Sequence, residues 1–259
     1  MLAEPQETGA DWSFTLFGIR VRVSAWFWAA AGLLGWNVCQ SIAQGDQRML
    51  LQLLVIWVGV VFASILVHEF GHALAYRFFG QDARVVLYHF GGLAIPSAWG
   101  RHRHLRPAQR LLVSAAGPMA QLVLATLIVA GLRAAGLFVP FPLESIGARL
   151  GFYDGRPFAS PYGYAVCDFL LSVNILWPLL NLVPVPPLDG GQIVREGLLA
   201  LDVADGQRIA SIIGVVVGAA VAVWGYTRNE PYLGIMFALL AASCFQSLSA
   251  GPPPWRRWN

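Results

Sequence analysis

Lysine is absent from this chain: all 17 basic residues are arginine. Charge of either sign is scarce, at 12% of 259 residues against 57% hydrophobic, where a soluble domain carries about a quarter charged residues. That deficit excludes a soluble globular domain and makes the chain an integral membrane protein. Cysteine is also rare. Cys39, Cys167 and Cys244 stand far apart, without the paired spacing of a metal site or a disulfide framework. They read as small buried apolar residues, and a bridge between Cys39 and Cys167 has no support beyond a shared outer side. A basic leader is missing too. The first 22 residues carry Glu4, Glu7 and Asp11, which does not suit a signal peptide, so the first helix is expected to be retained. No internal repeat and no appended soluble module is visible.

What is abundant is uncharged length. Charge-free windows separate Arg22 from Asp46, Arg48 from His68, Arg110 from Arg133, Asp168 from Asp189, Arg208 from Arg228, and Glu230 from Arg256. Each is near the roughly 20 residues that cross about 30 Å of hydrocarbon as a helix. The expected fold is an all-α polytopic membrane protein of one domain, 1–259, with about six transmembrane helices and a short membrane-associated β-hairpin. The helices are expected near 24–43, 49–79, 108–135, 165–187 (broken by prolines), 206–226 and 232–249, the hairpin near 84–96. With six crossings, Arg48, Arg133, Arg149, Arg156 and Arg228 share one side and the other 12 arginines face the opposite side. The positive-inside rule then puts both termini in the cytoplasm. Topology explains the cluster from Arg101 to Arg110, so nucleic acid is not an expected partner.

Along the chain, Phe14 to Val23 alternates apolar residues with Arg20 and Arg22, as a short strand or amphipathic lead-in does. Trp26, Trp28 and Trp36 in the first helix read as interfacial anchors or packing. Arg84 to Phe90 and Gly91 to Pro96 read as two strands around a Gly pair. The other reading is a cytoplasmic loop that joins two helices. Ser114 to Gln121 is rich in small residues that let helices approach, with Pro118 as a kink. The outer loop 136–163, rich in Gly, Pro and aromatics, is expected along the membrane surface.

The charge-free run from Met49 to Val67 ends in His68-Glu69-Phe70-Gly71-His72. Residues four apart share a helix face, so two imidazoles can reach one ion. Zinc accepts neutral imidazole nitrogen, and Glu69 beside it can take a proton from water. Two His and a Glu at membrane depth are costly unless they pair or bind something. A second constellation, Asn181 to Gly191, interrupts an apolar run with Pro184, Pro186 and Pro187 and ends in a carboxylate, Asp189. Prolines there leave backbone carbonyls free, which suits a cavity better than lipid. Asp189 can supply a third ligand and leave the fourth position to water; its alternative is to cap the helix that starts near Gly190.

His68-Glu69-Phe70-Gly71-His72, followed over a hundred residues later by Asn181-x-x-Pro184-x-Pro186-x-Leu188-Asp189-Gly190, resembles the site-2 protease family of intramembrane zinc metalloproteases. The likeness is greatest to the compact six-helix branch of the sporulation-factor-processing proteases, without an appended nucleotide-sensing or peptide-binding domain. The resemblance implies one zinc ion per chain on His68, His72 and Asp189, Glu69 as general base, and Asn181, Gly91 and Gly92 holding the substrate. Gln121 departs from the pattern, standing after Gly117-Pro118 where the family commonly has Asn. The implied partners are a transmembrane protein or peptide substrate and the lipid bilayer, in a membrane that the all-Arg usage suggests is bacterial. A catalytically silent scaffold of the same fold is one alternative. A metal or proton transporter is another, which His89, His102 and His104 could feed, although its ionisable groups should be strung across the bilayer.

Overall fold

A computed structural model describes residues 8–88, 91–97 and 104–249. Its elements are β1 (Trp12–Leu16), β2 (Ile19–Val23), α1 (Ala25–Ala43), α2 (Gln47–Phe78), β3 (Ala83–Tyr88), β4 (Gly91–Pro96), α3 (Pro107–Ala134), α4 (Glu144–Arg149), α5 (Pro161–Asn181), α6 (Asp189–Ala200), α7 (Gly206–Thr227) and α8 (Pro231–Ser249). The described residues fall into two compact units, one of 8–97 with 116–179 and the other of 104–115 with 180–249.

In the first unit the expected hairpin is half of a larger sheet. Four strands lie in the order β1-β2-β3-β4. Phe17 and Gly18 both take positive φ, 49° and 72°, the backbone of the tight turn that matches strand twist. This turn folds β1 onto β2, with Leu16 opposite Ile19. Arg77, in the last turn of α2, donates to the carbonyls of Phe17 and Gly18 at 2.6 and 2.7 Å. β2 then runs parallel to β3, and β3 antiparallel to β4. Ile19, Val21 and Val23 point inward at every second residue, as strand period requires, and meet Phe27 of α1 and Ile65, Phe70 and Ala73 of α2 in one core.

Helix α2 organises this unit. Asp46 caps it, its Oδ1 accepting from the amides of Arg48 and Met49 at 2.9 and 3.1 Å, a contact that contributes about 1 kcal/mol. At 32 residues the helix is about 48 Å long, longer than the hydrocarbon layer, so its ends reach polar surroundings. Helix α1 lies against it, where Gly35 leaves room for the Trp57 ring and the Trp57 indole donates to the Ala31 carbonyl at 2.9 Å. The loop 136–163 is a built structure containing α4. Arg133 and Arg156 donate to the carbonyls of Gly151 and Ala135 at 2.6 and 2.9 Å.

In the second unit α7 and α8 pack through Gly218 against Ala241 and through Gly225 against Gly234. Glu196 of α6 is buried, accepting from Arg110 at 2.7 Å and from Arg195 at 2.6 Å. Among the described residues α2, α3, α5, α7 and α8 are long and apolar enough to cross a membrane. Helix α1, which carries no charged residue, stands where the first crossing is expected.

Candidate metal centre

Helix α2 places His68, Glu69 and His72 on its inner side, where they are 2%, 4% and 7% exposed. The four-residue spacing puts His68 Nε2 and His72 Nε2 3.1 Å apart. Two nitrogens held about 2.05 Å from one zinc ion at the tetrahedral angle stand about 3.3 Å apart. The pair therefore fits two adjacent positions on such an ion.

The hydrogen bonds around His68 decide which of its ring nitrogens carries the proton. Gln121 of α3, fully buried, donates its Nε2 to the Ser64 carbonyl at 3.1 Å. A carbonyl can only accept, so the amide nitrogen must face it and Oε1 must face His68, 2.8 Å from Nδ1. His68 Nδ1 then carries the proton and Nε2 keeps its lone pair for a metal. Asn174 of α5 extends the arrangement, donating to Ser64 Oγ at 2.8 Å and to the Leu170 carbonyl at 2.9 Å. Ser64 precedes His68 by four residues and so shares its helix face. Neither Ser64 nor Asn174 is marked by any motif. Their signal in the sequence is only an uncharged polar residue inside a charge-free window, where a polar group needs a partner.

Small residues set the walls. A Cβ on Gly71 would come within 2.5 Å of the Ala116 carbonyl, and one on Gly117 would overlap the His72 imidazole. Helices α2 and α3 therefore cross backbone to backbone at the site, which the small residues before Gln121 allow. On the strand side, Gly92 leaves the space that the Glu69 side chain occupies, and Gly91, at φ 116°, lies against the Trp177 ring. Burial, and then the nearby Glu69 charge, push the Tyr88 phenol above its usual range.

Asn181 and Asp189 belong to the second unit. Asn181 ends α5 and is partly buried. Asp189 is the first helical residue of α6. The cap position is Leu188, and Asp189 is the acidic residue of the first turn. Residues 182–188 fold tightly onto the helix start, because Gly190 and Gly191 carry no Cβ to overlap Leu182 and Pro186. Of the other histidines named from sequence, His104 is exposed ahead of α3, while His89 and His102 lie outside the described residues. Cys39, Cys167 and Cys244 are free thiols.

Residues 56–224 match the sequence profile of Peptidase family M50. A protein of Synechocystis sp., provisionally named a zinc metalloprotease, is 29% identical over 188 residues, which cover 70% of this chain and 42% of that one. A second relative, from Mycobacterium tuberculosis and also provisionally named a zinc metalloprotease, is 28% identical over 172 residues, 62% of this chain and 38% of its own. The chain thus spans about two fifths of these relatives. Among solved structures, the site-2 protease from Methanocaldococcus jannaschii superposes with a TM-score of 0.54 at 17% identity, covering 92% of this chain and 95% of that one; at this identity the likeness is one of fold. Over half the chain carries the family profile, and its apolar helices make it a multi-pass membrane protein: the chain belongs to Peptidase family M50, the site-2 proteases.

Proposed function

We propose that this protein is an intramembrane zinc metalloprotease, which hydrolyses a peptide bond within or near a transmembrane segment of a membrane-protein substrate. The observation that carries the reading is the pair of buried imidazole nitrogens 3.1 Å apart with Glu69 beside them. The names of the relatives support zinc. In this reading His68, His72 and Asp189 hold one zinc ion per chain, a donor set of two imidazoles and a carboxylate that suits this metal.

Zinc, when bound, polarises the scissile carbonyl and acidifies water. Glu69 takes the proton from the attacking water and later delivers it to the leaving amine nitrogen. Gln121 keeps the His68 proton on Nδ1 throughout. A helical substrate hides its carbonyl in its own hydrogen bonds, so it must unwind first. The edge of β4 at Gly91 and Gly92 can then replace the lost backbone bonds by strand pairing, and Asn181 holds the unwound segment. The protein resides in a bacterial inner membrane with both termini cytoplasmic, and its reaction is regulated intramembrane proteolysis.

The test is cleavage of a transmembrane test peptide by the purified chain in detergent, with chelator added and then zinc restored. Cleavage lost with the chelator and regained with zinc is expected. Cleavage indifferent to the chelator contradicts the reading.

A further inference from the structure

On the face of β4 opposite Glu69, the first unit contains an apolar recess of about 200 Å³ between α1, α2, α5 and the start of β4, with Ala30, Ile65, Tyr88, Gly91, Val173 and Trp177 in its lining. We propose that this recess takes one large apolar side chain of the substrate, from the residue next to the one lying over Glu69, and so sets which sequences are cut. The proposal rests on the protease reading above and names the substrate feature that the same site selects.

The argument begins with the pleat of β4. Neighbouring residues in a strand point to opposite faces. At Gly92 an added Cβ would overlap the Glu69 side chain, whereas at Gly91 it would lie 2.8 Å from the Trp177 ring. One face at the start of β4 therefore looks at the proposed general base and the other looks into the recess. Among the described strands β4 stands at the edge of the sheet. A peptide strand added to that edge continues the pleat. Its residue opposite Gly92 turns towards Glu69, and its residue opposite Gly91 turns towards the recess. Both glycines are needed, since a side chain at either position would occupy the space in question.

The lining selects the occupant. Among the described residues no charged side chain borders the recess, and burying a charge there without a partner is costly. A comparable apolar cavity of about 150 Å³ accepts benzene, so Leu or Phe fits and Ala leaves a void. Ile65 precedes Glu69 by four residues, about 6 Å along α2. The recess is therefore within reach of a residue adjacent to the scissile bond. An acyl chain of the bilayer would match the same apolar lining, but it could not make the backbone bonds that β4 offers.

The probe is a 25-residue Leu-Ala transmembrane peptide with a central Asn-Gly break and Ala, Leu or Phe at each position flanking the break in turn. Binding is measured in micelles on Glu69→Gln, so that hydrolysis does not enter, with and without Val173→Phe, which fills the recess. At one flanking position, Leu or Phe is expected to bind about fivefold tighter than Ala. This is less than burial from water would give, because the micelle is already apolar. The preference should vanish in Val173→Phe. Ala30→Phe fills the recess from α1 and should act in the same way, which guards against misfolding of one variant, and zinc content confirms an intact site in both. Equal binding of all the peptides overturns the proposal, as does a preference that survives both fillings. An acyl chain recovered with the Glu69→Gln protein and absent from Val173→Phe, with equal peptide binding, overturns it in favour of lipid. Cleavage by the parent chain is scored separately. Its failure beside an intact binding preference contradicts the protease reading and leaves the recess in place.

Discussion

His68 of α2 and Gln121 of α3 share a hydrogen bond of 2.8 Å from Nδ1–H to Oε1, with the amide fixed in turn by the Ser64 carbonyl. The bond joins two helices and sets the imidazole tautomer. Replacing Gln121 by Leu removes both effects. Outer partners of metal-bound histidine typically contribute 10- to 100-fold in affinity. Gln121→Leu is therefore expected to weaken zinc binding by about 10- to 100-fold, read by competition with a chelating dye. Unchanged affinity would reduce Gln121 to a space-filling residue.

The two wall glycines separate metal binding from chemistry. In Gly117→Ala the new methyl overlaps the His72 ring, and in Gly92→Ala it overlaps the Glu69 side chain. The first variant should lose zinc. The second should keep zinc and lose most cleavage, because only the general base is displaced. Metal analysis beside a peptide cleavage assay distinguishes them, and zinc loss in Gly92→Ala would contradict the assigned geometry.

Asp189 opens α6, one residue after the cap position. Asp189→Asn keeps size and helix position but removes a charged oxygen donor. Zinc content should fall below one per chain and cleavage with it, while thermal stability in the presence of chelator stays near that of the parent. Full zinc occupancy in this variant would remove Asp189 from the ligand set.

Glu196 tests a structural role away from the metal. Its buried carboxylate accepts from Arg110 and Arg195, which are themselves 42% and 37% exposed in their side chains. Water can take over part of their solvation, so Glu196→Ala should cost only about 1–2 kcal/mol of stability. The expected readout is a lower thermal midpoint with zinc content unchanged.

Residues 68–72 could be read from sequence because helix period alone puts two imidazoles on one face and the charge-free run before them makes their burial costly. The apolar helices were legible for a similar reason: hydrocarbon thickness dictates length and composition together. The four-stranded sheet was not. Its β2–β3 pairing is parallel and joins Val21 to Val85, and no local pattern records a partner so distant along the chain. Asn174 escaped notice for another reason. A single amide in an apolar helix gains meaning only when folding puts it opposite Ser64. Gln121 stood out in the sequence only as a departure from a pattern, and its use in fixing the His68 tautomer required the crossing of α2 and α3.

The central claim is that Glu69 moves protons for a zinc-dependent cleavage without itself holding the metal. Its most direct test is zinc content and transmembrane-peptide cleavage for the parent chain and for Glu69→Gln. About one zinc per chain in both is expected, with cleavage reduced by about 10²- to 10⁴-fold in the variant. Full cleavage by Glu69→Gln, or no zinc in the parent, would contradict the account.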